Sequence, residues 1–403
     1  MIESNPNHFN HITLATSTLN PIAANGRAAR REGWVDALRI VACAMVVLSH
    51  CCDHFTAAFD SNYTFFITGT AIGSLVRPCV PLFVMMTGVL LLPINNNVSL
   101  SGFYKKRVSR ILIALIFWSL LLPVACYFYF NSAGGSSVNP AVDLTAYTQS
   151  GLVNRLWSWI FNFNYDTTPL WYLYMLLGLY LAMPVVGAWL NTASRKDLRT
   201  VLTVWLITLF IPVIKIIAPH CGYVGNYGNL DIWGGCDWNV YGTFYYMSGF
   251  MGYILLAYYM VKYPLSWSNR KLAVIGSLMF AAGFALTFGG YLWLQKYFPG
   301  NYAYLEIAWW FTGINVFIMT WPIFELFRRW SIRPRKTLAY LAGLTFGIYL
   351  CHFFFVMVGY DLFNTTSLPA VVRIALNLIF TFSCAAIVTA IFKSWKFTRR
   401  FVS

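Results

Sequence analysis

The stretch WVDALRIVACAMVVLSHCCDHF, residues 34–55, is the clearest indication of the fold class of this chain. It is a mostly apolar run of the length that a helix needs to cross the hydrocarbon core of a bilayer, about 20 residues. Similar runs recur as far as Ile391, each bounded by Pro, Gly, Asn or basic clusters. Ten spans are predicted, at 35–56, 72–93, 111–131, 169–190, 200–219, 239–261, 272–294, 304–327, 338–360 and 369–392. The sequence therefore predicts an all-α polytopic membrane protein, a bundle of about ten transmembrane helices.

Composition and charge agree with this fold class. The chain has 403 residues, of which 59% are hydrophobic and only 10% charged, too few charges to cover a soluble protein. Of its 28 basic residues, 22 precede the first span, follow the last, or lie in the even-numbered connections. That is the positive-inside pattern, which predicts a cytoplasmic N-terminus and C-terminus. The net charge of +15 thus reflects topology, so membrane lipids and not nucleic acid are the expected partners.

The ends of the chain differ from its centre. Residues 1–33 are polar and lack the short apolar core of a cleavable signal, so we expect a disordered cytoplasmic tail. Residues 34–395 form the transmembrane domain, and residues 396–403 form a basic cytoplasmic tail.

One predicted outer loop, residues 220–238, contains two cysteines and several residues of the types that bind sugars. Cys221 and Cys236 lie in it, and whether they form a disulfide stays open. Aromatic and acidic residues accompany them, namely Tyr223, Tyr227, Asp231, Trp233, Asp237 and Trp238. This mixture suits a sugar ring, and it is equally typical of the aromatic belt at a membrane interface.

Polar residues line one face of the first span. Arg39 and His50 are eleven residues apart, which in an α-helix is three turns plus about 20°, so both side chains share a face about 16 Å apart along the axis. Asp36 falls within about 40° of the same line. Because a charged residue inside a membrane usually faces a cavity or a partner, this stripe is predicted to line a cavity.

Three roles are considered for the residues at the end of this span: a metal site, a cysteine nucleophile and a histidine base. His50 and His54 are spaced to share a metal, but Cys51 and Cys52 point about 100° and 200° away and cannot complete a tetrahedral site, so no metal is expected. A cysteine nucleophile needs a thiolate, which an apolar setting disfavours. The imidazole of His50 therefore remains as the reactive group, a general base oriented by Asp53 or by a residue of another helix.

The first span, with an Arg, ten intervening residues and a His, resembles that of the acyltransferase family 3 membrane proteins. The resemblance covers most of residues 33–395. Further matching segments follow in chain order: VPLFVMMTGVLL (80–91), FYKKRVSRI (103–111), PLWYLYMLLGLYLAMPVV (169–186) and LTFGIYLCHFFFV (344–356). Within the family the chain is most similar to stand-alone O-acetyltransferases, such as the enzyme of enterobacterial common antigen. One departure is Thr87, where the family usually has Ser, and a hydroxyl is retained.

The resemblance implies a function and a set of roles. Family members move acyl groups, most often acetyl from acetyl-CoA, onto hydroxyls of glycans, lipid-linked sugars or small molecules. His50 is implied as the essential histidine and Arg39 as a contact for CoA. Apart from the resemblance, the helical register of Asp36 and the basic segment with Lys106, Arg107 and Arg110 add these four residues to the expected donor site at the cytoplasmic mouth. Arg77 is expected to stabilise the oxyanion or to bind an anionic acceptor, and His352 and Tyr349 belong to the late matching motif.

We therefore expect a bacterial inner-membrane O-acetyltransferase that transfers acetyl from cytoplasmic acetyl-CoA to a glycan or glycolipid hydroxyl. Direct transfer and an acyl-histidine intermediate both stay open, as does assembly into a homo-oligomer. The rival function is a glycolipid transporter or flippase that uses the polar stripe. A sensor built on an inactive bundle is a third reading, and it predicts that His50 is dispensable. Lys215 and Glu306, in the predicted fifth and eighth spans, are left between functional and structural roles.

Overall fold

Fourteen α-helices and several short 3-10 turns make up the part of the chain that the computed structural model describes, and this part contains no β-strand. The described residues are 32–94, 98–132, 137, 139, 142–160, 164–222, 232–236, 239 and 241–403. The helices are α1 (Gly33–Thr56), α2 (Tyr63–Leu75), α3 (Cys79–Leu91), α4 (Leu100–Asn131), α5 (Gln149–Ser158), α6 (Trp171–Leu190), α7 (Arg195–Thr208), α8 (Ile211–His220), α9 (Met251–Lys262), α10 (Asn269–Tyr297), α11 (Tyr302–Leu305), α12 (Ile314–Arg329), α13 (Lys336–Asn364) and α14 (Ala370–Ser394). The predicted N-terminal tail up to Arg31, and most of the aromatic loop 220–238, lie outside the described residues.

Within those ranges, nine helical segments are long and apolar enough to cross a bilayer. They are Gly33–Thr56, Tyr63–Leu91, Leu100–Asn131, Tyr165–Leu190, Arg195–Lys215, Asn269–Tyr297, Glu306–Arg329, Lys336–Asn364 and Ala370–Ser394. The fold class is confirmed: the chain is an all-α polytopic membrane protein.

The second span differs from its prediction in both start and shape. It begins at Tyr63, nine residues before the predicted start, and consists of α2 and α3 separated by a break at residues 76–78. Pro78 causes the break, because proline disfavours helical backbone at the residue before it while suiting the start of a new helix. Arg77 lies at this break.

The predicted sixth span, 239–261, is represented by the short helix α9 after a 3-10 turn at Gly242–Met247. Gly242 and Gly249 take positive φ angles, 51° and 83°, which end regular helix before α9 begins. At 12 residues α9 is about 18 Å long, less than the bilayer core. Eight of its residues are buried, and it packs against α3 and α7, so it is an interior helix.

Substitution of Gly252 in α9 tests the close packing of α9 against α7. A methyl group there would overlap the indole of Trp205 in α7, which is 1% exposed and donates from Nε1 to the carbonyl of Gly249 at 2.9 Å. Gly252→Ala is therefore expected to destabilise the protein by about 1–3 kcal/mol, the usual effect of overpacking. The measurement is the thermal unfolding midpoint of the purified protein in detergent.

The matched control for that substitution is Gly178→Ala in α6. A methyl group at Gly178 meets nothing within 4 Å, so the higher helix propensity of alanine is expected to leave stability unchanged or to raise it slightly. Equal midpoints for the two variants would contradict the close approach of α9 to α7.

Helix α1 is the central helix of the bundle. It packs against α2, α3, α12, α13 and α14. Its residues Leu38, Ala42, Val47 and Cys52 are completely buried. Within the polar stripe, Asp36 is buried and Arg39 and His50 are half-buried, so the stripe faces the protein interior.

The end of the chain packs against α4. Trp118 donates from Nε1 to the carbonyl of Phe401 at 2.9 Å, the ring of Phe401 stacks on Phe117 at 4.0 Å, and Val402 is buried. The basic segment 396–403 is thus part of the folded structure. Cys221 and Cys236 are free thiols, the first exposed and the second buried.

Candidate active site

A cavity of about 930 Å³ runs along α1 inside the bundle. Arg39 and His50 both line it, as their helical register predicts. Its volume is near the upper limit of the ~300–1,000 Å³ usual for small-molecule sites. The two residues that the sequence analysis placed on one face thus face one common space.

One end of the cavity is strongly basic. Arg39 of α1 and Arg107 and Arg110 of α4 all line it, and Arg110 is exposed. Lys106 is also exposed but does not line the cavity, and Asp36 is buried among the helices with only 4% exposure. Three of the five residues predicted for the donor site are therefore brought together.

His50 is held by Asp53 of the same helix. The imidazole Nδ1 lies 2.7 Å from Asp53 Oδ2, a contact between residues three apart. A carboxylate only accepts hydrogen bonds, so Nδ1 carries a proton, and in the neutral ring the lone pair is then on Nε2. The two side chains are 20% and 38% exposed, so both are reached from the cavity. Asp53 therefore orients His50 so that Nε2 of the neutral ring is available as a base.

A second imidazole lies beside the first. The ring centroid of His352 in α13 is 5.2 Å from that of His50, and Phe353 contacts His50 at 5.3 Å. His352 is completely buried and donates from Nδ1 to the carbonyl of Tyr349 at 2.6 Å, while its Nε2 has no hydrogen-bond partner among the described residues. Tyr349 lines the cavity and donates to the carbonyl of Pro169, which joins α13 to the start of α6.

Arg77 reaches the cavity beyond His50. Its guanidinium lies 3.8 Å above the ring of Trp309 and 5.5 Å from that of Phe311, and its buried Nε has no hydrogen-bond partner among the described residues. The carboxylates of Asp53 and Glu306 both interact electrostatically with it. Such a cation–π contact stabilises a partly desolvated arginine.

His54 was considered in the sequence analysis only as a metal ligand, and the structure gives it different partners. It is 1% exposed, and its Nε2 accepts from the amide of Asn139 at 2.6 Å. The same amide lies 3.4 Å from the hydroxyl of Tyr165, and the ring of Tyr360 packs against His54 at 4.4 Å. No local pattern reveals this contact, because Asn139 is 85 residues away in sequence.

One buried carboxylate connects different parts of the segment between α4 and α6. Asp166 accepts from Arg155 at 3.0 Å and from the hydroxyl of Tyr147 at 2.5 Å, and the Arg155 guanidinium lies 4.2 Å above the Tyr147 ring. Burial, followed by the charge of Asp166, raises the pKa of Tyr147, so its phenol stays protonated and donates. This arrangement keeps the adjoining Tyr165 at the cavity wall.

Other ionisable residues have structural partners. Arg328 makes two hydrogen bonds to the buried carboxylate of Glu325, and Arg329 binds both Glu325 and the backbone carbonyl of Leu265. These bonds join the end of α12 to the connection before α10. Among the described residues, no cluster of three or more His, Cys, Asp or Glu has a geometry that suits a metal ion.

Residues 32–393 match the family described as an acyltransferase domain. The chain belongs to acyltransferase family 3. No curated protein and no solved structure matches it, so the closer likeness to the enterobacterial common antigen enzyme is not shown. Membership in family 3 makes this protein a multi-pass membrane acyltransferase and favours catalysis over transport. The enclosed histidine and the basic cavity end lie within the matched region.

Proposed function

We propose that this protein transfers an acetyl group from cytoplasmic acetyl-CoA to a hydroxyl of a cell-envelope glycan or glycolipid, with His50 as the general base. The observation that carries the proposal is that Arg39 and His50 line the same cavity. One end of that cavity is suited to phosphate, and the His50 imidazole, which Asp53 orients, lies further along it.

The donor is proposed to enter at the basic end. Arg39, Arg107 and Arg110 supply guanidinium groups, which bind phosphate oxygens through paired, charge-assisted hydrogen bonds. Arg39 and His50 are about 16 Å apart along the regular helix α1, a separation comparable to the length of the pantetheine arm. With its phosphates on the arginines, acetyl-CoA places its thioester beside His50.

The reaction needs one base and one proton. His50 Nε2 removes the proton of the acceptor hydroxyl, and the oxygen attacks the carbonyl carbon of the thioester. The tetrahedral intermediate collapses as the carbon–sulfur bond breaks, and the thiolate of CoA takes the proton from the imidazolium. The products are the acetyl ester and CoA, and Asp53 stabilises the positive imidazolium between the two steps.

The topology follows from the same proposal. The basic end of the cavity faces the cytoplasm, both termini are cytoplasmic, and the membrane is the bacterial inner membrane. The distribution of basic residues supports this orientation. The acceptor then meets His50 from the end of the cavity that lies towards Arg77.

The test is transfer of radiolabelled acetyl from acetyl-CoA to envelope glycans by purified protein in lipid nanodiscs. We expect label in the glycan fraction that is released by mild alkali, as an O-acetyl ester is, and no label from nanodiscs without the protein. Label that enters neither glycan nor glycolipid, while acetyl-CoA remains intact, would contradict the proposal.

A further inference from the structure

The end of the cavity beyond His50 contains charges of both signs and several aromatic rings. Asp53, Arg77 and Glu306 all line it, together with Tyr291 and Trp310. The three formal charges sum to −1, whereas the opposite end carries the three arginines described above. We name these five residues the acceptor subsite.

One charged group of this subsite, Arg77, has a hydrogen-bond donor that a ligand can satisfy. Arg77 interacts electrostatically with both carboxylates, yet its buried Nε has no hydrogen-bond partner in the described part of the chain. A buried donor without a partner is costly, so an oxygen atom of a ligand or of water is its expected partner. Stacking on Trp309 at 3.8 Å fixes the position of the guanidinium, so the oxygen atom of a ligand or of water must bind at that position.

The hydrogen-bond donors and acceptors of the acceptor subsite indicate which kind of ligand fits it. Carboxylates only accept hydrogen bonds and a guanidinium only donates them, whereas a hydroxyl does both. An anionic ligand is attracted by Arg77 but repelled by Asp53 and Glu306, and a cation experiences the reverse. Adjacent hydroxyls on an uncharged ring satisfy all three groups at once.

We infer that the acceptor subsite selects an uncharged polyhydroxy ring, and that Glu306 excludes acceptors carrying a carboxylate. The inference rests on the proposed function and adds to it the charge of the acceptor and a specificity-determining residue. Glu306 is exposed where it lines the cavity, so it is placed to meet a ligand that enters.

The experiment compares two sugars that differ in charge at one carbon. Binding of methyl β-D-glucopyranoside and of methyl β-D-glucopyranosiduronate to the protein in nanodiscs is measured by equilibrium dialysis with labelled sugars. We expect the uncharged sugar to bind at least about tenfold more tightly, since like charges across a binding site are strongly disfavoured. Glu306→Gln is expected to reduce this ratio at least about fivefold, because the glucuronoside then binds more tightly.

Asp60→Asn is the matched control, because it makes the same charge change at an exposed carboxylate that does not line the cavity. It is expected to leave the ratio of the two Kd values unchanged. Equal binding of both sugars, no measurable binding of the glucoside, or a ratio that survives Glu306→Gln would each overturn the inference.

Acetyl transfer by the same nanodiscs separates the two proposals. Transfer from acetyl-CoA to envelope glycans without any preference between the two probe sugars contradicts only the acceptor subsite. Absence of transfer contradicts the proposed function, whichever sugar binds.

Discussion

Replacing His50 with alanine is expected to lower the rate of acetyl transfer between about a hundredfold and ten-thousandfold. A positioned general base contributes this much, and the variant loses the lone pair that takes the proton of the acceptor hydroxyl. The measurement is the initial rate of acetyl transfer to envelope glycans at saturating acetyl-CoA. The thermal unfolding midpoint of each variant is recorded first, since only variants that fold as the wild type does are compared.

Two further variants test whether the loss of activity is due to the imidazole ring itself. His50→Gln keeps a polar side chain of similar length without a basic nitrogen, so it is expected to be as inactive as the alanine variant. Asp53→Asn removes the carboxylate 2.7 Å from Nδ1 and is expected to have an intermediate activity, because the ring is then less well oriented and its positive form less stable. Half or more of the wild-type rate in a well-folded His50→Ala protein would exclude this histidine from the chemistry.

Replacing Arg39 with alanine is expected to raise the KM for acetyl-CoA about a hundredfold with little change in kcat. The guanidinium is proposed to bind the phosphates, which are remote from the reacting carbonyl, and hydrogen bonds between charged groups are worth about 1.5–3 kcal/mol. Arg39→Lys keeps the charge but loses the paired donors, so a smaller increase, about tenfold, is expected. The measurement is the initial rate as a function of acetyl-CoA concentration.

A shortened donor provides the sharpest control for Arg39. Acetyl-pantetheine lacks the phosphates, so wild-type protein and Arg39→Ala are expected to use it equally well. Arg270→Ala removes an exposed arginine at the start of α10 and is expected to leave both donors unaffected. A loss of activity towards acetyl-pantetheine that matches the loss towards acetyl-CoA would show that Arg39 acts on the reaction and not on the phosphates.

Much of this protein follows from local sequence. Apolar runs of bilayer length predict a polytopic helical fold, and the structure confirms it. The spacing of Arg39 and His50 predicts one face of one helix, and both line one cavity. These predictions succeed because helical periodicity is a property of the backbone and does not depend on neighbouring helices.

Asp36 is a residue whose position relative to the cavity is not predicted by helical periodicity. It lies close to the same helical face as Arg39, but it is buried outside the cavity wall, because the boundary of a cavity depends on how the surrounding helices pack. The short helix α9 is a similar case. Its apolar run predicts a full span, yet glycines at positive φ and close packing against α3 and α7 allow a shorter, interior helix.

The membrane fold and the register of Arg39 and His50 are readable from the amino-acid sequence. The distant groups that complete the site are visible only once the helices have packed. His352 lies 5.2 Å from His50 although about 300 residues separate them, and Trp309 supports Arg77 from another helical segment. The physical reason is that contacts between helices depend on their relative rotation, tilt and distance. Those quantities arise from packing over the whole bundle, and no short stretch of sequence encodes them.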